Sequence, residues 1–333
     1  MATMKEVAEL SGVSVTTVSH VINNTRFVSE QIVARVNGAI EKLNYVPSVV
    51  ARSLKNNQSK SIGMLVPNNS IPFFADLIWG IEDICYHQDY SVILCNTDDN
   101  RKKQIKYLEV LIAKQIDGLI VVASGVEDNL VDLLSKQSIP ISIVDREIPG
   151  LEADRFAADN ELGGFLATKH LIKLGHEKIG CISGPTDLKP SIGRVFGFKR
   201  ALRNHGLELN PNWLRQSDFK SKGGYEAMNH ILNQKQHPSA IFACNDLMAF
   251  GSLSAAYERQ ISIPKQLSII GYDDILLASY SCPPLTTIMQ PSHELGVMAA
   301  QALLDRVKDD QMPRQNTGLE PHLVVRKSTE KIG

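Results

Sequence analysis

Several polar clusters in this 333-residue chain stand directly behind runs of apolar residues. Asp145-Arg146 follows Ile141–Val144, Asn245-Asp246 follows Ala240–Cys244, and Asp273-Asp274 follows Leu267–Gly271. Gln290 comes after Thr286-Thr287-Ile288, Pro72-Phe73-Phe74 after Ile62–Val66, and Arg194 after the loop 184–190. Carboxylates, amides and a guanidinium beside aromatic faces suit a small polyol. Its hydroxyls take charge-assisted hydrogen bonds and its C–H faces stack on rings. Each residue also has a plainer reading, because a single Asp or Asn after a strand commonly caps the next helix. Their shared placement, more than any one of them, points to a binding cleft.

A second chemistry gathers near the N-terminus. Val15–Asn23 reads VTTVSHVIN, with β-branched residues at six of nine positions, which is poor helix chemistry. Its polar members are all short or compact: Thr16, Thr17, Ser19, His20 and Asn23. Met4–Ser11 before it has helical spacing, Gly12-Val13-Ser14 interrupts, and Ser14 is placed to cap the next helix. A third amphipathic helix is expected from about Ser29 to Leu43. Helix, glycine-containing turn, helix is the helix-turn-helix pattern; a generic three-helix bundle is the alternative.

These groups need elements to position them. Tyr45-Val46-Pro47 stops the helical run, and Ser48–Lys55 reads as a short helix before the polar linker 56–60. Eight residues make a marginal helix in water, so a partner must stabilise it. From Ser61 onward, apolar runs alternate with amphipathic helices such as 73–88, 99–115, 162–174 and 246–259. That alternation predicts parallel sheets covered by helices on both faces, and 273 residues suffice for two lobes. Ligands in such folds bind outside the carboxyl ends of the strands, where the polar clusters stand.

Composition narrows the function classes. The formal charge is −1, yet residues 1–60 carry seven Lys or Arg against four acids, so a basic head sits on a mildly acidic body. That asymmetry points to nucleic acid at the head. The five cysteines are scattered without zinc spacing, so no metal is expected and the thiols read as reduced. No phosphate loop, nucleophile elbow or dinucleotide fingerprint is present. No enzyme activity and no cofactor are expected. Neither a signal sequence nor a membrane-spanning run stands out, and the expected location is the cytoplasm.

The motifs MKEVAELSGVSVTTVSHVIN, NYVPSVVARSLK, SIGMLVP, DGLIV, FACNDLMAFG, SIIGYDD and PPLTTIMQP, in this order, resemble the LacI/GalR family of bacterial transcriptional regulators over essentially the whole chain. MATMK, TVSHVIN, RFVSE and ARSLK resemble the branch of the ribose operon repressor and the purine repressor. The resemblance implies an all-α helix-turn-helix headpiece (1–46), a hinge helix and linker (47–60), and an α/β two-lobed core like periplasmic sugar-binding proteins (61–333). One lobe is expected at about 61–160 and 291–320, the other at about 161–290 and 321–330. It also implies a homodimer on palindromic double-stranded operator DNA, since no C-terminal heptad extension like that of the tetrameric lac repressor is seen. A binding protein or enzyme with the head as an interaction domain is the rival class.

By resemblance, Thr16, Thr17 and His20 face base edges, while Arg26 and Ser29 hold phosphates. Val15 departs from the Ser or Thr common there. In the hinge, Leu54 is expected to wedge into the minor groove, with Ala51 and Lys55 matching as well. In the core, Phe73, Phe74 and Phe219 would enclose a sugar, and Asp145, Arg146, Arg194, Asn245, Asp273 and Gln290 would bond its hydroxyls. The purine branch shares Phe74, Arg194, Phe219 and Asp273 but has a tryptophan where this chain has Arg146. A guanidinium suits hydroxyls and an indole suits a nucleobase, so D-ribose is the expected effector, acting as an inducer. The alternative is a purine-responsive repressor with hypoxanthine or guanine as corepressor.

Overall fold

The computed structural model describes residues 2–46, 58–122, 128–145, 148 and 150–332. The hinge positions Ala51, Leu54 and Lys55, together with Arg146, lie outside the described residues. The chain forms two compact units, Met1–Lys60 and Ser61–Gly333.

In the first unit, α1 (Met4–Ser11), α2 (Val15–Asn23) and α3 (Glu30–Leu43) close on a core of Val7, Ala8, Val18, Val36, Ala39 and Tyr45. A capping box starts α1: the Thr3 hydroxyl accepts from Glu6 N, and the Glu6 carboxylate accepts from Thr3 N. Gly12 ends α1 at φ 64°, a left-handed turn favouring glycine. The Arg35 guanidinium fastens this turn by donating to the Ser11 and Gly12 carbonyls. Helix α2 begins as the sequence predicts, with the Ser14 hydroxyl accepting from Thr17 N at 3.0 Å. Such a cap contributes about 1 kcal/mol. Burial of Val18 and partial burial of Val21 and Ile22 offset the poor helix propensity of the remaining residues.

In the second unit, the first lobe is a six-stranded parallel sheet in the order β11-β5-β4-β3-β1-β2. Its strands are β1 (Ser61–Val66), β2 (Ser91–Asn96), β3 (Gly118–Val122), β4 (Ile141–Val144), β5 (Asp154–Ala158) and β11 (Asn316–Leu319). Alternation along β1 sends Ile62, Met64 and Val66 to one face and Leu65 to the other. The first face packs on α4 (Pro72–His87) and α11 (Ser292–Lys308); the second packs on α5 (Arg101–Ala113) and α6 (Asp128–Ser135).

The second lobe is a four-stranded parallel sheet, β7-β6-β8-β9. Its strands are β6 (Ile179–Ser183), β7 (Leu214–Gln216), β8 (Ala240–Ala243) and β9 (Ser268–Ile270). Around it run α7 (Asn160–Lys173), α8 (Lys189–Asn204), α9 (Ser221–Leu232) and α10 (Asp246–Glu258). The expectation of parallel sheets alone needs one correction. β10 (Thr287–Met289) and β12 (His322–Val324) form an antiparallel pair where the chain passes between the lobes. The strands missed in the sequence are short or polar. β5 opens on Asp154, whose carboxylate oxygens each accept from Arg306 of α11 at 2.8 Å. A buried charge pair replaces the apolar start that marks a strand.

Candidate functional site

On α2, Val15 and Thr16 are exposed, Thr17 and His20 are half-buried, and Arg26 and Ser29 follow in the exposed loop. The helix presents short polar groups on one side and packs Val18, Val21 and Ile22 on the other. His20 Nδ1 lies 2.8 Å from the Thr25 hydroxyl, which fixes the ring and leaves Nε2 for an outside partner. Thr17 shares its hydroxyl with Ser14 at 2.9 Å, so a ligand at the Thr17 hydroxyl competes with that contact and leaves the Ser14 cap on Thr17 N intact. Ser29 stands at the start of α3 without a side-chain cap bond. Phe27, 97% exposed beside Arg26, was not singled out in the sequence; a lone aromatic in a loop carries no periodic signal.

In the core, seven residues expected at an effector site line one cavity of about 360 Å³: Phe73, Phe74, Asp145, Arg194, Phe219, Asn245 and Asp273. The cavity opens between the lobes, because Phe73, Phe74 and Asp145 belong to the first and the other four to the second. Gln290 does not line it. Its amide donates to Asp273 Oδ1 at 2.7 Å from behind. Asn245 combines the two readings open in the sequence: its side chain caps α10 through Met248 N and donates to Phe219 O.

Arg194 is the centre of the wall. Its Nε donates to Asn160 Oδ1 at 2.8 Å and its Nη1 to Cys244 O at 2.6 Å, with Asp273 Oδ1 at 3.6 Å. The guanidinium lies 3.9 Å from the Tyr272 ring centroid, a cation–π arrangement. Burial works against its charge, while Asp273 leads the groups that hold the proton on. Burial raises the Asp273 carboxyl to about 6, against the pull of Arg194 and the Gln290 hydrogen bond.

Five lining residues have left-handed backbones: Asp98 at φ 53°, Asp99 at 52°, Asp145 at 68°, Phe219 at 63° and Asp273 at 112°. Such strain persists where surrounding contacts over-determine it. For Phe219 the contact is visible: a Cβ on Gly184 would lie 2.1 Å from its ring. For Asp273, Gln290 holds the side chain, and Asp274 reaches Arg326 Nη1 at 2.7 Å.

Sequence reasoning missed a further feature. The N-cap residues of four helices line this cavity: Ile71 of α4, Leu188 of α8, Lys220 of α9 and Asn245 of α10. The first three make no side-chain cap bond. Partial positive charge from the helix ends therefore converges on a space that also holds carboxylates. A neutral ligand rich in hydrogen-bond acceptors and donors meets both. Apolar caps could have been noticed at Ile71 and Leu188, each followed within two residues by a proline, but their convergence could not. Asp98, Asp99 and Asp218 at the same cavity were missed for the same reason. Among the described residues, no group of His, Cys, Asp or Glu is arranged to hold a metal.

Comparison with known proteins places these features together. The profile of "Bacterial regulatory proteins, lacI family" matches residues 3–48, and that of "Periplasmic binding protein-like domain" matches 168–329. The chain is 45% identical over 333 residues to the HTH-type transcriptional repressor PurR of Photobacterium profundum, covering 100% of both chains. It belongs to the lacI family. Among solved structures, the Lac repressor dimer bound to operator and an anti-inducer superposes with TM-score 0.90, at 28% identity and covering 99% of each chain. A LacI family regulator from Enterococcus faecium with bound ribose superposes with TM-score 0.75 at 35% identity, covering 82% of this chain and all of its own. This lacI-family chain is a DNA-binding transcriptional repressor with a small-molecule effector, and not an enzyme. The full-length relatives favour the purine alternative over the ribose expectation.

Proposed function

We infer that the chain represses transcription as a homodimer on a palindromic operator, with a purine base, hypoxanthine or guanine, as corepressor. The observation that carries this is the 45% identity along the entire length of the PurR relative. Phe74, Arg194, Phe219 and Asp273, the four positions shared with that branch, all line one cavity. Aromatic walls suit the faces of a base, and the converging helix ends and carboxylates suit its edge. Thr16, Thr17 and His20 read base edges in the major groove, and Arg26 and Ser29 hold phosphates. Ala51, Leu54 and Lys55, outside the described residues, are the proposed minor-groove contacts. Exposed apolar side chains support self-association: Trp79 and Tyr86 on the first lobe, Tyr257, Leu276, Leu277 and Tyr280 on the second. No helix among the described residues is long and apolar enough to cross a membrane; a repressor of this kind works in the cytoplasm, where its operator is.

Ribose as inducer is the second reading. It is favoured by Arg146 beside Asp145 and by the ribose-bound relative at 35% identity. The two readings differ in sign, since a corepressor stabilises the DNA-bound state and an inducer the released one. Calorimetric titration of the full-length protein with hypoxanthine, guanine and D-ribose separates them, paired with binding to a palindrome selected from a random pool. Purine heat with tighter DNA binding supports the first reading. Ribose heat with weaker DNA binding overturns it in favour of the second.

A further inference from the structure

A second cavity lies within the second lobe. Its volume is about 390 Å³, similar to that of the effector cavity, and the two share no lining residue. Ile192, Val195 and Phe196 of α8 form one wall, and Leu214 of the edge strand β7 forms another. Ile192 and Phe196 are each 51% exposed, whereas Phe198, Ala201 and Leu202 bury the opposite face of the same helix. Lys199 stands one turn beyond Val195, and Ser183 at the end of β6, Thr186, Ser191 and Gln216 add neutral polar groups at the margin. Among the described residues, no carboxylate lines the cavity, so the Lys199 ammonium meets no counter-charge within it.

An apolar slot with a single cation at its edge is complementary to a compact apolar body bearing one negative charge. A neutral sugar would leave the apolar walls unused, and a phosphate dianion would find only one cation. We propose that this cavity binds a small monocarboxylic acid with an aromatic or branched aliphatic body, its carboxylate on Lys199, and that its occupancy alters effector affinity. The coupling follows from shared segments. Ser183 lines this cavity, while the adjoining Gly184 backbone supports the Phe219 ring of the effector cavity. The Ser183 carbonyl also accepts from Ser217 N at 2.8 Å, two residues before Phe219. On α8, Arg194 enters one cavity and Val195 the other. Displacement of Ser183 or of the first turns of α8 therefore moves Phe219 and Arg194 together.

The test uses 4-phenylbutyrate as probe on the full-length protein, without effector. Saturable calorimetric binding is expected, weakened by about 10-fold or more in Phe196→Asp and in Lys199→Glu. Both side chains are solvent-accessible, and unchanged thermal melts would verify that the variants fold. In probe-saturated protein, the Kd for whichever of hypoxanthine or D-ribose binds is expected to shift by about 3-fold or more. No saturable heat, binding indifferent to both substitutions, or an unchanged effector Kd would each overturn the proposal. The first arm is read without effector, so failure of the purine reading, seen as absent hypoxanthine heat, leaves it standing.

Discussion

The headpiece and the proposed effector cavity use their candidate functional side chains in opposite ways. In the headpiece, Thr16, Arg26 and Ser29 are exposed, and the fold rests on a separate core of six buried residues. In the cavity, Phe73, Phe74, Asp145, Arg194, Asn245 and Asp273 are all buried and are themselves part of the packing. Exposed groups can be exchanged with little effect on stability, so a DNA-reading surface can be retuned residue by residue. A buried charge cannot be removed without stranding its partner, so the cavity wall changes only as a unit. Recognition and stability are separable in one region and fused in the other.

The sharpest way to break this comparison is at Arg194. Arg194→Ala leaves Asp273 buried and the Cys244 carbonyl unserved, and is expected to destabilise the core by about 3–5 kcal/mol while abolishing effector binding. Denaturant unfolding with calorimetry reads both, and a stable variant with intact binding would show the cavity to be as separable as the headpiece. Gly184→Ala should act next, since the added methyl collides with the Phe219 ring. An overpacking loss of about 1–3 kcal/mol, with weakened effector binding and unchanged DNA affinity of the effector-free protein, is expected. On the other side, His20→Ala should reduce operator affinity by about 1–3 kcal/mol, with stability lowered by only about 0.5–1.5 kcal/mol through loss of the Thr25 contact. Anisotropy titration and a thermal melt measure the two quantities, and a large stability loss would blur the distinction.

Acidity gives a fourth, smaller effect. The folded Asp273 carboxyl titrates at about 6, above the ordinary value of about 3.9. Its proton is held more tightly in the folded state, so its contribution to stability is full below the unfolded value and is lost as pH rises through the folded one. Effector affinity is expected to run the other way, because the ligand meets the carboxylate. It should fall about 10-fold per pH unit below about 6, with a flatter profile in Asp273→Asn. Calorimetry and unfolding across roughly one pH unit on either side of that value test both slopes. The mildest change is Ser14→Ala, expected to cost the headpiece about 1 kcal/mol through loss of the α2 cap, read by unfolding of the full-length protein.

The headpiece was legible because its grammar is local. Ser14 caps α2, Gly12 turns at φ 64°, and Val18 faces the core, each within a few residues of the groups it positions. The strands of the core were legible where apolar runs mark them. β5 was not, because Asp154 and Arg306 replace hydrophobic burial by a charge pair spanning 152 residues. For the cavity, Asp145, Asn245 and Asp273, picked out for standing after strands, come together along one edge, since a parallel sheet gathers its carboxyl ends there. Gln290 was grouped with them on the same ground. It proved to stand behind Asp273, a distinction of depth that strand position does not encode.

The amino-acid sequence by itself determined the basic head, the helix-turn-helix pattern, the alternation that builds two parallel sheets, and the residue types that meet at their ends. Periodicity and capping act over a few residues, so one chain of letters suffices for them. Only the tertiary structure decided that four helix N-termini open on one cavity, and that Arg194 lies between Asn160, Cys244, Asp273 and Tyr272. Those contacts join segments far apart in the chain. Their energies depend on burial, which no local pattern carries.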